Sequence, residues 1–380
     1  MVRRLHLTLL LLTCSLVVAA TNATNAPIGG GGGGGGVTCL SESGDPVEYW
    51  VILKFPDGSN YAYADEHTSH LGMSVSPYKL ESPTEGAVAH TLNTVYSAGS
   101  GSSSVGHVEY NDEWPDEHKH GTGGHTKGFV GFDEKSGFWL IHSVPRFPDF
   151  VKDGYSGLPE DEMRYGQSFM CISTSLGYLE DVAAQLLIGY PWVYSANVPE
   201  GNSAFANMQN MKSLANGDKH YKDMDSNVVS IKTHWGVEFT TFYKSPKWGK
   251  YIYEDMVEPH FDTEFAWETW MNGINPDPSF CEPKSQYNST NIRNLAVGAY
   301  SWKETQDHSK WGVSIGWKHR SYDEYLCIGD INRQESQNKR GGGTTCIQDV
   351  DLWRAFYNAI KHVDCCCEDS QCDDVGFCKW

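Results

Sequence analysis

Several stretches of the chain carry the hydrophobic patterning of β-strands. Residues 47–53 (VEYWVIL) alternate and are rich in β-branched and aromatic side chains, so they predict the first strand. Asp57-Gly58 is a turn signal. Residues 128–132 and 138–144 read as paired strands joined by 133–137, a hairpin ending on glycine. Residues 228–232 and 236–243 predict strands on either side of His234-Trp235, and 296–301 and 327–332 predict two more. Helical readings are confined to 181–188 (DVAAQLLI), 263–271 and 349–363; in the last, Leu352, Phe356 and Ile360 stand at i, i+4 and i+8. Polar loops fill 97–106 and 114–124, 199–225 is polar and less defined, and 340–344 (RGGGT) predicts a tight loop. The expected fold class is therefore α/β in the mixed, α+β sense.

The N-terminus departs from this pattern. Arg3 and Arg4 precede a short apolar run closing on Val18-Ala19-Ala20, the layout of a secretory signal peptide over 1–20. That run is short for a membrane span, and no second long apolar stretch occurs. The mature protein is expected to be soluble and either lumenal or secreted. Residues 21–36 end in eight consecutive glycines and predict a disordered linker; no Lys-Ser/Thr follows, so they form no phosphate loop. Of the 11 cysteines, Cys14 lies in the signal. The remaining ten, an even count in a secreted chain, point to disulfides. Zinc binding by CCCEDSQC in the acidic tail 364–380 is the less favoured alternative. Asn22 and Asn288 begin glycosylation sequons; Asn22 sits beside the cleavage site, so Asn288 is the better placed.

Candidate chemistry sits in two short motifs. His125-Thr126-Lys127 opens the strand 128–132, and His308-Ser309-Lys310 recurs 183 positions later (308 − 125). Residues i and i+2 of a strand face the same way, so each motif aims an imidazole and an ammonium into one space. An imidazole near neutral pH serves as nucleophile or proton carrier, and an ammonium suits a phosphate oxygen. With two such pairs, one imidazole can attack phosphorus while the other protonates the leaving oxygen, with fixed cations stabilising the charge. That scheme calls for no metal and no other cofactor. A lone HxK, however, is also what ordinary surface polarity produces. His118 and His120 offer either a metal pair or a solvated loop, the second being the preferred reading.

The surrounding blocks narrow this. HTKGFVGFDEKSGFWLIHSVPRFP (125–148), YGQSFMCIS (165–173), DHSKWGVS (307–314) and CIGDINRQESQNKRGGGTTC (327–346) together resemble deoxyribonuclease II, the acid, metal-independent endonuclease family of the phospholipase D superfamily. The resemblance covers about residues 47–356. It implies a pseudo-dimeric fold of two similar halves, 37–230 and 231–363, each a helix-covered mixed sheet supplying one HxK. It implies hydrolysis of double-stranded DNA through a phosphohistidine, leaving 3′-phosphate and 5′-hydroxyl ends. His125, Lys127, His308 and Lys310 would be catalytic, with His308 favoured as nucleophile although sequence does not separate the two histidines. His142, Asp330 and Asn332 would bind or orient, His142 being equally readable as a core histidine. Cys39 would pair with Cys171, Cys327 with Cys346, and Cys281 with one of Cys365, Cys366 or Cys367. The wider superfamily places an aspartate after each HxK; here those positions hold Phe132 and Ile315, which leaves open what orients the histidines.

Charge complicates the picture. A formal net charge of −19 is awkward for binding phosphates, but charging all 15 histidines would bring it to −4 (−19 + 15), so binding is expected to improve in acid. In 242–253 (FYKSPKWGKYIY), Lys244, Lys247 and Lys250 alternate with aromatics, as suits either a nucleic-acid backbone or a plain solvated loop. Two other readings stand: a secreted family member that has lost catalysis and acts as a nucleic-acid-binding or host-modulating protein, and a phosphodiesterase acting on lipid.

Overall fold

The computed structural model describes residues 36–316, 323–366 and 377–379. The expected signal peptide, Asn22, all but the last residue of the linker, Trp317, Cys367 and most of the tail lie outside them. Among the described residues, 18 strands form two sheets, with five α-helices against them. The first sheet takes β1 (Tyr49–Lys54), β2 (Tyr61–Asp65), β3 (Ser74–Val75), β4 (Val105–Asn111), β5 (Lys127–Asp133), β6 (Gly137–His142), β7 (Gln167–Thr174) and β8 (Val193–Asn197). Its order is β3-β2-β1-β7-β6-β5-β4-β8. The second takes β9 (Ser226–Lys232), β10 (Glu238–Lys244), β11 (Phe265–Glu268), β12 (Ser289–Val297), β13 (Tyr300–Lys303), β14 (Trp311–Ser314), β15 (Tyr325–Gly329), β16 (Gly342–Gln348), β17 (Ile360–Asp364) and β18 (Phe377–Lys379). Its order is β18-β17-β12-β11-β14-β15-β16-β10-β9, with β13 beside β12.

The helices are α1 (Ala87–Tyr96), α2 (Leu176–Gly189), α3 (Gln209–Ala215), α4 (Glu258–Phe261) and α5 (Val350–Ala359). One succession appears twice: β5-β6-β7-α2 in the first sheet and β14-β15-β16-α5 in the second. β4 and β11 stand next to the first strand of each series. The two sheets share one core, in which Val130 and Trp139 of the first and Val313 and Ile328 of the second meet Leu186 of α2 and Phe356 of α5. Each such side chain contributes about 1.5–3 kcal/mol by leaving water; besides this shared core each sheet packs a cluster of its own, with Trp50, Phe129 and Leu140 in the first and Phe242, Phe265 and Trp267 in the second. Ser175 caps α2, its Oγ accepting from the Tyr178 amide. Asp349 caps α5, accepting from Asp351 and Leu352 amides at 2.9 and 3.0 Å. Its other oxygen accepts from the Tyr49 hydroxyl at 2.7 Å, which ties α5 to β1.

Several local expectations are corrected. Residues 263–271 are not a helix: Phe265–Glu268 is β11, flanked by β12 and β14 and buried throughout, so it shows no two-residue alternation. The helical turns lie just before it, at Tyr253–Val257 and α4. The helix expected over 349–363 stops at Ala359, because Ile360 turns extended and pairs with β12 despite keeping the helical spacing. Residues 296–301 span the β12–β13 turn rather than one strand. The loop expected at 340–344 is mostly strand, since β16 starts at Gly342. The helix α1 and the strand β4, beginning inside the expected loop 97–106, were not legible from patterning.

Candidate active site

Each HxK motif stands at the entry to its strand: β5 begins at Lys127 and β14 at Trp311. At that point backbone from the other sheet crosses it. The His125 amide donates to the Gly341 carbonyl just before β16, and the His308 amide donates to the Gly166 carbonyl just before β7, both at 2.8 Å. In return Gly341 N donates to Gly123 O at 3.1 Å, and Gly166 N to Gln306 O at 2.8 Å. The two crossings are the same arrangement with the halves exchanged. Both crossing residues need to be glycine. A Cβ on Gly341 would lie 2.3 Å from the Gly189 carbonyl, and one on Gly166 would lie 2.6 Å from the Asp307 carboxylate. Residues far apart in sequence thereby share one electrostatic site: Lys310 disfavours charge on His125, and Lys127 disfavours charge on His308.

The first dyad is set in ions. Lys127 is bonded through its ammonium to Asp112, which also accepts from the Arg340 guanidinium at 3.1 Å. His125 Nε2 lies 3.9 Å from the same carboxylate. Its Nδ1 donates to the Asp330 backbone carbonyl at 2.7 Å, which leaves Nε2 as the nitrogen on the Asp112 side. Arg340 also donates to the carbonyls of His120, Gly123 and Gly124, fixing the loop ahead of His125. The carboxylate missing after the motif is thus replaced by a backbone carbonyl and by Asp112 from β4's end. Register explains Asp112: Asn111 pairs with Lys127, so the next residue lies beside the motif.

The second dyad is set in rings. His308 stacks on Tyr165, with centroids 4.2 Å apart and 14° between planes, and meets Trp270 edge-on at 4.1 Å and 86°. Among the described residues its ring nitrogens have no hydrogen-bond partner. Lys310 donates its ammonium to the His308 carbonyl, and its amide to Ser168 Oγ at 3.3 Å. Asp307 accepts from the Ser309 amide at 2.8 Å and the Trp302 indole at 2.6 Å, fixing the turn into the motif. Pairing of Glu268 with Trp311 puts Trp270 where Asp112 stands in the first half; Tyr165 and Arg340 each precede a crossing glycine. The same two positions therefore hold an ion pair at one dyad and an aromatic pair at the other.

Burial and the cations set the charge states. Burial, then Lys127, push His125 well below its ordinary value; the opposing pull of Asp112 is weaker. Burial, then Lys310, Lys127 and Lys54, bring His308 to about 2. Both imidazoles are therefore neutral at neutral pH. Burial raises the Asp112 carboxyl, but Lys127, His125 and Arg340 outweigh it and hold it well below the usual range. Burial and Lys127 lower Lys310 to about 7, and burial raises Asp330 to about 7.

The family model for deoxyribonuclease II matches residues 38–366. The chain belongs to the deoxyribonuclease II family. Among its relatives are plancitoxin-1 of Acanthaster planci, 31% identical over 344 residues (87% of this chain, 92% of the relative). Deoxyribonuclease-2 of Caenorhabditis elegans is 31% identical over 355 residues (84% and 91%). Deoxyribonuclease-2-alpha of Mus musculus is 29% identical over 347 residues (88% and 95%).

In this deoxyribonuclease II chain the remaining expected residues fall unevenly. Asp330 joins the site, chiefly through its backbone carbonyl. Asn332 accepts from the Trp270 amide at 3.3 Å and so steadies a ring that holds His308. His142 is 1% exposed, between Phe147 and Phe169, with both ring nitrogens unpartnered; burial lowers it to about 3. It lies in the core, within range of the Lys127 charge. Lys244 is fully buried and donates to the carbonyls of Gln337, Asn338 and Arg340, which removes it from the expected basic loop; Lys247 and Lys250 remain exposed. Asn288 is corrected as a glycan site: it is 4% exposed and its amide nitrogen donates to Glu264 at 3.1 Å, so no sugar fits there. Disulfides join Cys39–Cys171, Cys327–Cys346 and Cys281–Cys366. Patterning missed Asp112, Tyr165, Trp270 and Arg340 as site residues. Tyr165 and Arg340 sit in the family-like blocks, but Asp112 and Trp270 carry no sequence signal, because only strand register places them.

No helix among the described residues is long and apolar enough to cross a membrane.

Proposed function

We propose that this chain is an acid, metal-independent endodeoxyribonuclease that cleaves double-stranded DNA through a phosphohistidine. The observation that carries the reading is that two HxK motifs with unequal surroundings lie within reach of each other's lysine charge. His308, held by rings and free at its nitrogens, is the neutral nucleophile. Its nitrogen bonds to phosphorus as the bond from phosphorus to the 5′-oxygen breaks. His125, beside Asp112, is the imidazole able to carry a second proton, and it gives that proton to the 5′-oxygen. Neutral His125 then takes a proton from water, whose oxygen displaces His308 from phosphorus. The ends are 3′-phosphate and 5′-hydroxyl, and both histidines return to their starting states. Lys127 and Lys310 hold the non-bridging oxygens, and Arg340 adds a third fixed positive charge.

The acid optimum follows from the charge states. Burial and the lysines hold both imidazoles neutral, and the diester's negative charge favours protonating one of them. That proton comes from solvent, so the productive state grows as pH falls. Lys310 gains its charge and Asp330 loses its charge below about 7, and both changes favour phosphate. The reading also places the protein in the secretory pathway, in lysosomes or outside the cell, in keeping with its disulfides and the signal-like 1–20.

The test is plasmid nicking in excess EDTA at acid and neutral pH, with His308→Ala alongside. Nicking in acid that disappears in the variant supports the mechanism. Folded protein that binds DNA but nicks at neither pH favours a binding protein instead.

A further inference from the structure

Beside the first dyad lies a concentration of rings and cations that the reaction does not use. His120 lies flat on Trp192, with centroids 3.8 Å apart and planes 8° from parallel. Lys219 Nζ is 3.1 Å from the Trp192 ring centroid. Two groups so near one ring occupy opposite faces, so the indole is sandwiched. Among the described residues Lys219 has no carboxylate within ion-pair distance, whereas Lys127 is bonded to Asp112. A cation resting on an indole without an anion is prepared to meet one from outside.

The stack is tied to the reacting groups. Trp192 Nε1 donates to the Thr122 carbonyl at 2.8 Å. Arg340 clamps the carbonyls of His120, Gly123 and Gly124, and His125 follows directly. Five residues reach at most about 17 Å, and a DNA strand rises about 3.4 Å per phosphate along the helix axis. The stack therefore lies within about five phosphates of the scissile one. The exposed lysine loop abuts the same junction: a Cβ on Gly341 would meet both the Gly189 carbonyl and, at 3.2 Å, Pro246 Cδ. Lys247 and Lys250 continue from there.

We propose that the Lys219–Trp192–His120 stack, with Lys247 and Lys250 beyond it, is a DNA-backbone subsite that holds the substrate on the His125 side of the scissile bond. This rests on the nuclease reading and adds where the flanking duplex goes.

The experiment measures binding of a short fluorescent duplex to His308→Ala protein across a salt series, alone and with Lys219→Ala or Trp192→Leu added. Loss of one phosphate contact is expected to weaken binding about 5- to 10-fold and to reduce the salt slope by about 0.9. Lys219→Arg should restore both, which separates lost contact from misfolding. In the active enzyme Lys219→Ala should raise KM for plasmid and leave kcat unchanged. Nicking that continues with unchanged KM, affinity and salt slope in folded Lys219→Ala sinks the subsite alone. A parent that neither nicks nor binds DNA sinks the nuclease reading and the subsite with it.

Discussion

Replacing Asp112 by asparagine tests the division of labour between the two histidines. The change keeps size and shape and removes one charge. That charge lies 3.9 Å from His125 Nε2. At an effective dielectric near 20, opposite charges at this distance attract by about 4 kcal/mol, equivalent to about three pKa units. Lys127 and Arg340 already neutralise part of it, so half is the better figure: about 2 kcal/mol, or roughly 30-fold in the population of His125 cation. The assay is kcat for plasmid nicking in EDTA across the acid range, with thermal melting alongside. The expected result is a kcat lower by roughly 30-fold or more, with the pH profile displaced toward acid. Stability should fall too, by about 3–5 kcal/mol, because two buried cations lose their partner. The sign holds in acid: the Asp112 carboxyl is depressed on folding, so its stabilisation is present above the unfolded value and is lost only as pH falls through the much lower folded one. Folded Asp112→Asn with kcat within threefold of the parent and an unmoved profile would refute the assignment of His125 as the acid.

Three further outcomes are expected. Trp270→Ala removes one of two ring contacts that hold His308, each worth about 0.5–1.5 kcal/mol, so kcat should fall about 3- to 10-fold while Trp270→Phe retains most activity; equal losses in both would show that the indole acts otherwise. Asp330→Asn fixes the neutral state that the carboxyl otherwise reaches only below about 7, so duplex affinity at neutral pH should rise several-fold and the alkaline limb of activity should move up; an unchanged limb, read by nicking rate against pH, counts against that titration. Replacing Cys39 and Cys171 by alanine opens a closure of 132 residues and should cost about 5 kcal/mol, read as a lowered denaturation midpoint, with kcat at low temperature preserved.

How much was legible follows from what each signal depends on. Strand pairs such as β5–β6 and β9–β10 are local hairpins of β-branched and aromatic residues around a short turn, and patterning found both. β11 is buried on both faces and so carries no alternation; α5 ends where long-range pairing to β12 outcompetes a helical spacing that continues to Ile360. The HxK motifs were visible because each places two chemical groups within three residues. The ion pair and the ring pair around them were not, because Asp112 and Trp270 reach the motifs only through the register of neighbouring strands. His142 and Lys244 show the converse: polar residues in suggestive company that packing withdraws from solvent.

By itself the sequence determined the family, the mixed architecture and the two imidazole–ammonium pairs, since these reside in short stretches whose residue types and order suffice. Only the tertiary structure decided that glycine crossings seat each motif on the opposite half, that one imidazole lies beside a carboxylate and the other between rings, and that Lys219 rests on Trp192 next to the site. Those are relations between segments distant in the chain. They are fixed by register, close backbone approach and desolvation, none of which is a property of any residue alone.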